Sequence, residues 1–280
     1  MKEKSVKKII LSVIAVLLVA VIAFFVNAFC GNPVSKALAG NAAEKHIAEA
    51  YPDMGYEIEY VSFDFKGSNY NAHVILPGSK DNSFVIICDM LGKVHTDSYN
   101  YGVVQRGNTS MRISDAYRDA VDNVLEGSKF TFAAPHIGFG DIEFITSDYI
   151  GTPEIPYYAL VSDELELDKE YDIKEFGKKA GHLTIYVYDE DVTVEHLAEM
   201  LLELRDAFDK ADLPFYVVDF ILEHPINDDG TQTEGRVEVM TFLYDEIYEE
   251  GLNERVDESN KKAIAYYAEM DAVKEAEINM

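Results

Sequence analysis

Tryptophan is absent from the 280 residues, and only two cysteines occur, Cys30 and Cys88. Two thiols in a chain of this length make no disulfide framework. A bond between them is geometrically unpromising, because Cys30 abuts the apolar N-terminal run and Cys88 lies in a strand-like run further on. Basic residues are scarce. The chain has 24 Lys+Arg against 51 Asp+Glu; setting aside Lys2, Lys4, Lys7, Lys8 and Glu3 leaves 20 against 50, a formal charge of −30 for everything after the apolar run. That balance disfavours nucleic acid as a partner, since phosphate binding needs a basic face, and none is expected. It also disfavours lying flat on anionic lipid. The seven histidines (His46, His73, His95, His136, His182, His196, His224) form no H-x-x-x-H or H-E-x-x-H pair, so no zinc motif is present. A G-x-S-x-G elbow and a phosphate loop are lacking as well. No catalytic, cofactor-binding or metal-binding residue is assigned from sequence.

The chain does carry one long apolar run, Ile9 to Phe29, uncharged and with only Ser12 and Asn27 polar. As a helix it covers roughly the ~30 Å hydrocarbon core of a bilayer. Three readings fit. An uncleaved anchor suits the length, which exceeds the roughly 7–15 residues of a signal-peptide core. Val26-Asn27-Ala28 offers a signal-cleavage site. Cys30 suggests a lipoprotein, but Phe29 before it is too large for that processing. Apolar length favours the anchor. Lysines before the span and acid after it place the N-terminus inside and the bulk outside.

Residues 1–30 are therefore read as tail and transmembrane anchor, 31–150 as a first α+β domain and 151–280 as a second, with the boundary near Thr152-Pro153-Glu154-Ile155-Pro156. Asn32 caps, and Pro33 opens, a helix to about Ala50. Strands follow over Glu57–Phe65, with a bulge near Tyr60, then from Tyr70 to Leu76, Ser83–Met90 and Val94–Tyr99. A helix on an antiparallel sheet in this order is similar to cystatin-like or PepSY-like modules. Ser110–Leu125 forms a second helix. Phe130–Pro135 reads as a short strand, Gly138-Phe139-Gly140-Asp141 as a turn, and Tyr157–Val161 as a strand. Asp172 and Glu175 have capping-box spacing for a short helix. His182–Tyr188, a Thr193-capped helix, Phe215–Leu222, Arg236–Tyr244 and a helix from about Asn253 to Glu277 give β-α-β-β-α, an α+β sandwich.

The candidate sites are each outweighed by a plainer reading. Asn227-Asp228-Asp229-Gly230 with Glu234 lacks the alternating order of a calcium loop and reads as a hairpin turn. Asp189-Glu190-Asp191 suits the positive end of the following helix. Cys88 reads as a buried inert thiol, and His46 as a boundary side chain. His182 and His224 flank two expected strands and are a possible functional pair.

Several stretches resemble the YfjL-like family: Asn27-Ala28-Phe29-Cys30-Gly31-Asn32-Pro33, Tyr51-Pro52-Asp53-Met54, Gly181-His182-Leu183-Thr184-Ile185-Tyr186, Gly235-Arg236-Val237-Glu238-Val239-Met240 and Tyr248-Glu249-Glu250-Gly251. Cys30 departs from the polar residue expected there. The resemblance implies a single-pass, membrane-anchored protein of a Gram-positive bacterium in two consecutive halves, and transfers no site residue. The leading expectation is a non-enzymatic surface module that binds a protein partner. The alternatives are an extracytoplasmic hydrolase with a spatially assembled His/carboxylate site and a divalent-cation-responsive surface protein.

Overall fold

The computed structural model describes the backbone of residues 2–278 apart from residues 133, 154, 228 and 234. Asp228 and Glu234 of the calcium-loop comparison, and Glu154 of the expected linker, thus lie outside the described residues. In chain order the elements are α1 (Lys2–Cys30), α2 (Pro33–Ala50), β1 (Glu57–Asp64), β2 (Asn69–Ile75), β3 (Ser83–Cys88), β4 (Val94–Asp97), α3 (Gly107–Gly127), β5 (Ile137–Ile142), β6 (Phe144–Ile145) and β7 (Leu160–Val161). Then come α4 (Ile173–Ala180), β8 (Gly181–Tyr188), α5 (Val194–Lys210), β9 (Val217–Glu223), β10 (Arg236–Leu243) and α6 (Leu252–Ile278). The mixed helix and sheet content is that of an α+β protein, with two four-stranded sheets and one two-stranded sheet following a long apolar helix in the chain.

Contacts divide the chain into two compact units. The first is Met1–Thr109 with Glu166–Asp168, and the second is Ser110–Leu165 with Lys169–Met280. The division falls in the first turn of α3, so the helix read from sequence with the first half packs in the second unit. Its apolar stripe supplies the reason: Ile113, Tyr117 and Val121 are buried in one core with Leu183 and Ile185 of β8.

In the first unit, α2 lies on an antiparallel sheet ordered β1-β2-β3-β4. Alternation along β2 and β3 turns Tyr70, Ala72, Val74, Phe84, Ile86 and Cys88 inward. Ala39 and Ala43, one helical turn apart, are both fully buried and let α2 approach closely. The expected bulge in β1 is present, between Ile58 and Tyr60. The joint from α1 to α2 is tightly bonded. Asn32 N donates to Tyr70 Oη (2.7 Å), Tyr70 Oη donates to the Asn32 carbonyl (3.2 Å), and the Asn32 side chain caps α2 by accepting from Ser35 N (2.8 Å). Gly31 turns there with φ +70°; a Cβ on it would stand 2.5 Å from Tyr70 Oη and 2.8 Å from the Phe63 ring. From Val13 to Phe29 the large apolar side chains of α1 are exposed, among them Val16, Leu17 and Phe24.

In the second unit the sheet order is β10-β9-β8-β5. β8 and β9 are parallel, joined by α5 as the crossover, and the other pairs are antiparallel. Thr193 caps α5 as expected, its hydroxyl accepting from His196 N at 3.3 Å. Leu197, Leu201, Leu204 and Phe208 recur at helical spacing and are all fully buried, each contributing about 2 kcal/mol of apolar burial. Gly138-Phe139-Gly140-Asp141 is not a turn but the middle of β5. The glycines are there for approach: a Cβ on Gly140 would lie 2.6 Å from Val121 Cγ2 and 2.9 Å from Leu183 Cδ2, and one on Gly138 2.9 Å from Leu125 Cδ1. The described part of 130–135 is irregular rather than a strand, with Phe130 stacked on a buried Phe132 at 4.6 Å. Tyr157–Val161 contributes only the two-residue β7, paired in parallel with β6.

Candidate functional site

His182 is the second residue of β8, two residues after the helix α4 that delivers the chain to the sheet. Its imidazole is held between two carboxylates: Nδ1 is 2.9 Å from Glu143 Oε1 and Nε2 is 3.1 Å from Asp219 Oδ2. Tyr158 Oη lies 3.3 Å from Nδ1. The topology produces this convergence. Asp141 of β5 faces His182 in register, so Glu143, two residues on, falls on the same face; Thr184 pairs with Asp219, so the aspartate lies diagonally next to the ring. A bulge in β10 between Val239 and Phe242 aims the Thr241 N–H at Asp219 Oδ1 (2.5 Å), with Thr241 at φ 49°.

The electrostatics oppose one another. Burial pulls the His182 pKa down, and hydrogen bonding and charge from Asp219 and Glu143 outweigh it, so the imidazole is raised to about 9. At neutral pH His182 is an imidazolium shared by two anions. Tyr158 is pushed up by burial and then by the charges of Glu143 and Asp219, so its phenol stays neutral. The carboxylates stand on opposite sides of the ring and do not converge on a common point. Among the described residues no group of three or more His, Cys, Asp or Glu side chains has the geometry to hold a metal ion. With both ring nitrogens facing carboxylates, His182 has no free basic nitrogen for proton abstraction at neutral pH. The arrangement ties the β5–β6 junction, β8, β9 and the Tyr158 segment together.

His224 follows β9 and does not meet His182. The parallel register sets His182 against Val217 and Tyr188 against Glu223, which places the two histidines at opposite ends of the strands, about 20 Å apart at ~3.3 Å per residue. The remaining histidines are also engaged. His46 Nε2 is 2.7 Å from Asp97 Oδ2, which also accepts from Tyr51 Oη at 2.9 Å. His73 stacks on Tyr60 at 4.1 Å and meets Ser62 Oγ at 3.1 Å. His136 stacks on Tyr188 at 3.7 Å. His95 Nε2 is 3.8 Å from Asp89, and His196 Nε2 is 3.4 Å from Asp189 at the start of α5. Cys30 and Cys88 are both free; Cys88 is buried, and burial raises its thiol pKa. The Asn227 turn closes on Thr231.

Glu143, Asp219 and Tyr158 had no local motif to betray them, since they lie 39, 37 and 24 residues from His182. One signal existed: Asp219 is the single charge inside the apolar run Phe215-Tyr216-Val217-Val218-Asp219-Phe220-Ile221-Leu222, and a charge in a buried strand is paired.

A separate concavity of about 540 Å³ opens in the second unit, walled by α4, the end of α5, the α5–β9 connection and the end of β10. Lys174 and Lys178 line one side, Asp209 and Asp212 another, and Phe215, Tyr216 and Tyr244 supply aromatic surface. Its polar groups are partly paired: Lys174 Nζ meets Asp212 at 2.5 Å, Tyr244 Oη donates to Asp209 at 2.5 Å, and the Arg205 guanidinium stacks 4.4 Å over the Tyr244 ring.

No curated protein and no solved structure matches the chain. Two family models do. The YfjL-like N-terminal domain matches residues 6–98, from the apolar helix through β4, and the YfjL-like C-terminal domain matches residues 117–257, from α3 to the start of α6. The chain belongs to the YfjL-like family.

Proposed function

We propose that this protein is held in the membrane by Ile9–Phe29, N-terminus inside, and displays its two α+β units on the outer side as a non-enzymatic binding module. The observation that carries the binding reading is the concavity of the second unit. Its volume falls in the range of small-ligand and side-chain sites, its wall mixes aromatic faces with charges of both signs, and its lining does not include the His182 cluster. A surface of that kind recognises a mixed-charge segment of another protein. The membrane reading is supported by the length and exposure of the apolar helix and by the lysines that precede it.

The test is a photo-cross-linking amino acid at Tyr216 in membranes carrying the full chain. The expected result is a discrete protein adduct that disappears in Lys174→Glu, while the purified chain turns over no ester, peptide or glycoside substrate. Unchanged adducts in the variant contradict the binding reading. A hydrolase, as the second reading, would be built on the meeting of His182, Glu143, Asp219 and Tyr158, where the protonated imidazole serves as a general acid and not as a base. Turnover that is abolished by His182→Gln would establish it.

A further inference from the structure

The first unit's sheet has two hairpin turns at one end, and they are built alike. Tyr70 stands opposite both Phe63 and Cys88, so the β1–β2 turn and the β3–β4 turn leave the sheet at the same edge. Each begins with an aspartate whose carboxylate is folded back onto the turn's own amides. Asp64 accepts from Lys66 N (3.0 Å) and Gly67 N (3.2 Å); Asp89 accepts from Leu91 N (2.8 Å) and Lys93 N (2.9 Å). What each turn shows to solvent is a large apolar residue followed by a lysine. Phe65 is 52% exposed and precedes Lys66; Leu91 is 82% exposed and precedes Lys93 by two. In a protein of such acidity this pairing of grease and positive charge is out of character with the rest of its surface.

Its position explains it. Phe65 packs against Phe29, ring centroids 6.1 Å apart, and Phe29 stacks in turn on Phe25 at 6.4 Å. Phe29 is the last residue of the apolar run. The joint between that run and the unit is fixed by the Asn32–Tyr70 hydrogen bonds and by Gly31, which has no room for a side chain. The second turn is seated against α2, since a Cβ on Gly92 would stand 2.8 Å from the Leu38 carbonyl. The α2 entrance adds Val34, 69% exposed, and Lys36.

We propose that these two turns rest in the headgroup layer of the bilayer that Ile9–Phe29 crosses, with Phe65 and Leu91 inserted and Lys36, Lys66 and Lys93 reaching the lipid phosphates. The inference rests on the reading of Ile9–Phe29 as a retained span. The chemistry fits the interface: aromatic and aliphatic side chains gain by leaving water there, and lysines place their charge at the phosphate level while their stems lie along the apolar surface. Acidic charge elsewhere on the unit opposes a flat contact, so only the two turns touch. The first unit is then held at three places, the span and two turns, instead of swinging on one.

The absence of tryptophan makes the test direct. Single-tryptophan variants of the full chain are reconstituted into phosphatidylcholine vesicles containing lipids brominated at graded depths. Phe65→Trp and Leu91→Trp are expected to show blue-shifted emission quenched best by the shallowest bromines. Tyr101→Trp, away from the turns, is expected to remain unquenched, and Phe24→Trp to be quenched by deep bromines. Phe24→Trp quenched with Phe65→Trp and Leu91→Trp both water-exposed overturns the turn contact and leaves the anchor standing. Phe24→Trp unquenched overturns both.

Discussion

The His182 cluster makes a pH-dependent prediction with a definite sign. In the folded chain the imidazole pKa stands at about 9, against 6.5 for the group without its partners. A raised histidine pKa means the folded state holds the proton more tightly than the unfolded state. The stabilisation is therefore complete below pH 6.5, declines as pH rises, and is gone once pH passes about 9. At 1.36 kcal/mol per pKa unit the contribution is on the order of 3 kcal/mol, and the His182 side chain is only 18% exposed, so solvent screens it weakly. Removing the positive charge leaves Glu143 and Asp219 uncompensated, and His182→Gln is expected to cost about 3 kcal/mol. For a unit of this size that lowers Tm by about 6–12 °C at pH 6. The assay is thermal unfolding of the full chain in detergent from pH 6 to 10, with the His182 imidazole resonance followed by NMR. Wild type should lose Tm steadily through pH 6.5–9 while the variant is flat over that window. A His182 resonance titrating at or below 6.5, or equal slopes for the two proteins, refutes the argument.

Three further substitutions probe packing and connection. Gly140→Ala drives a methyl into Val121 and Leu183 and should cost about 1–3 kcal/mol by calorimetry. Asp168→Ala removes the carboxylate that accepts from Ser79 Oγ (2.8 Å), Lys80 N (2.6 Å) and Asp81 N (3.0 Å) within the first unit; a loss of about 2 kcal/mol is expected, read as faster hydrogen exchange at the Lys80 and Asp81 amides. Tyr70→Phe keeps the buried ring and deletes both hydrogen bonds to Asn32. It should cost about 1 kcal/mol and expose the Gly31–Asn32 joint to proteolysis.

Local grammar carried most of the fold into the sequence. Asn32-Pro33, Asp172 and Thr193 begin helices because their side chains or rings suit an N-terminus, and each is found doing so. The alternation in Tyr70–Val74 and Leu183–Val187 shows which face of each strand is buried. Glycine misled. In β5, Gly138 and Gly140 look like a turn, yet they serve contact between a helix and a strand, which depends on residues that sequence does not place nearby. The His182 cluster was illegible for the same reason. Its members meet only once β5, β8 and β9 are in register, and no spacing rule links residues 143, 158, 182 and 219. The two hairpin turns fall in the gaps between expected strands, but their shared end beside Phe29 emerges only from the strand pairing.

The central claim, a retained span with the folded units outside, is tested most directly by labelling Glu190→Cys in a Cys30→Ser background, where Cys88 is buried, with a membrane-impermeant maleimide on intact cells, followed by intact-mass measurement of the labelled chain. Labelling is expected without permeabilisation, in the membrane fraction, at a mass that includes residues 1–30. Labelling only after permeabilisation, or a shortened chain released into the medium, would contradict it.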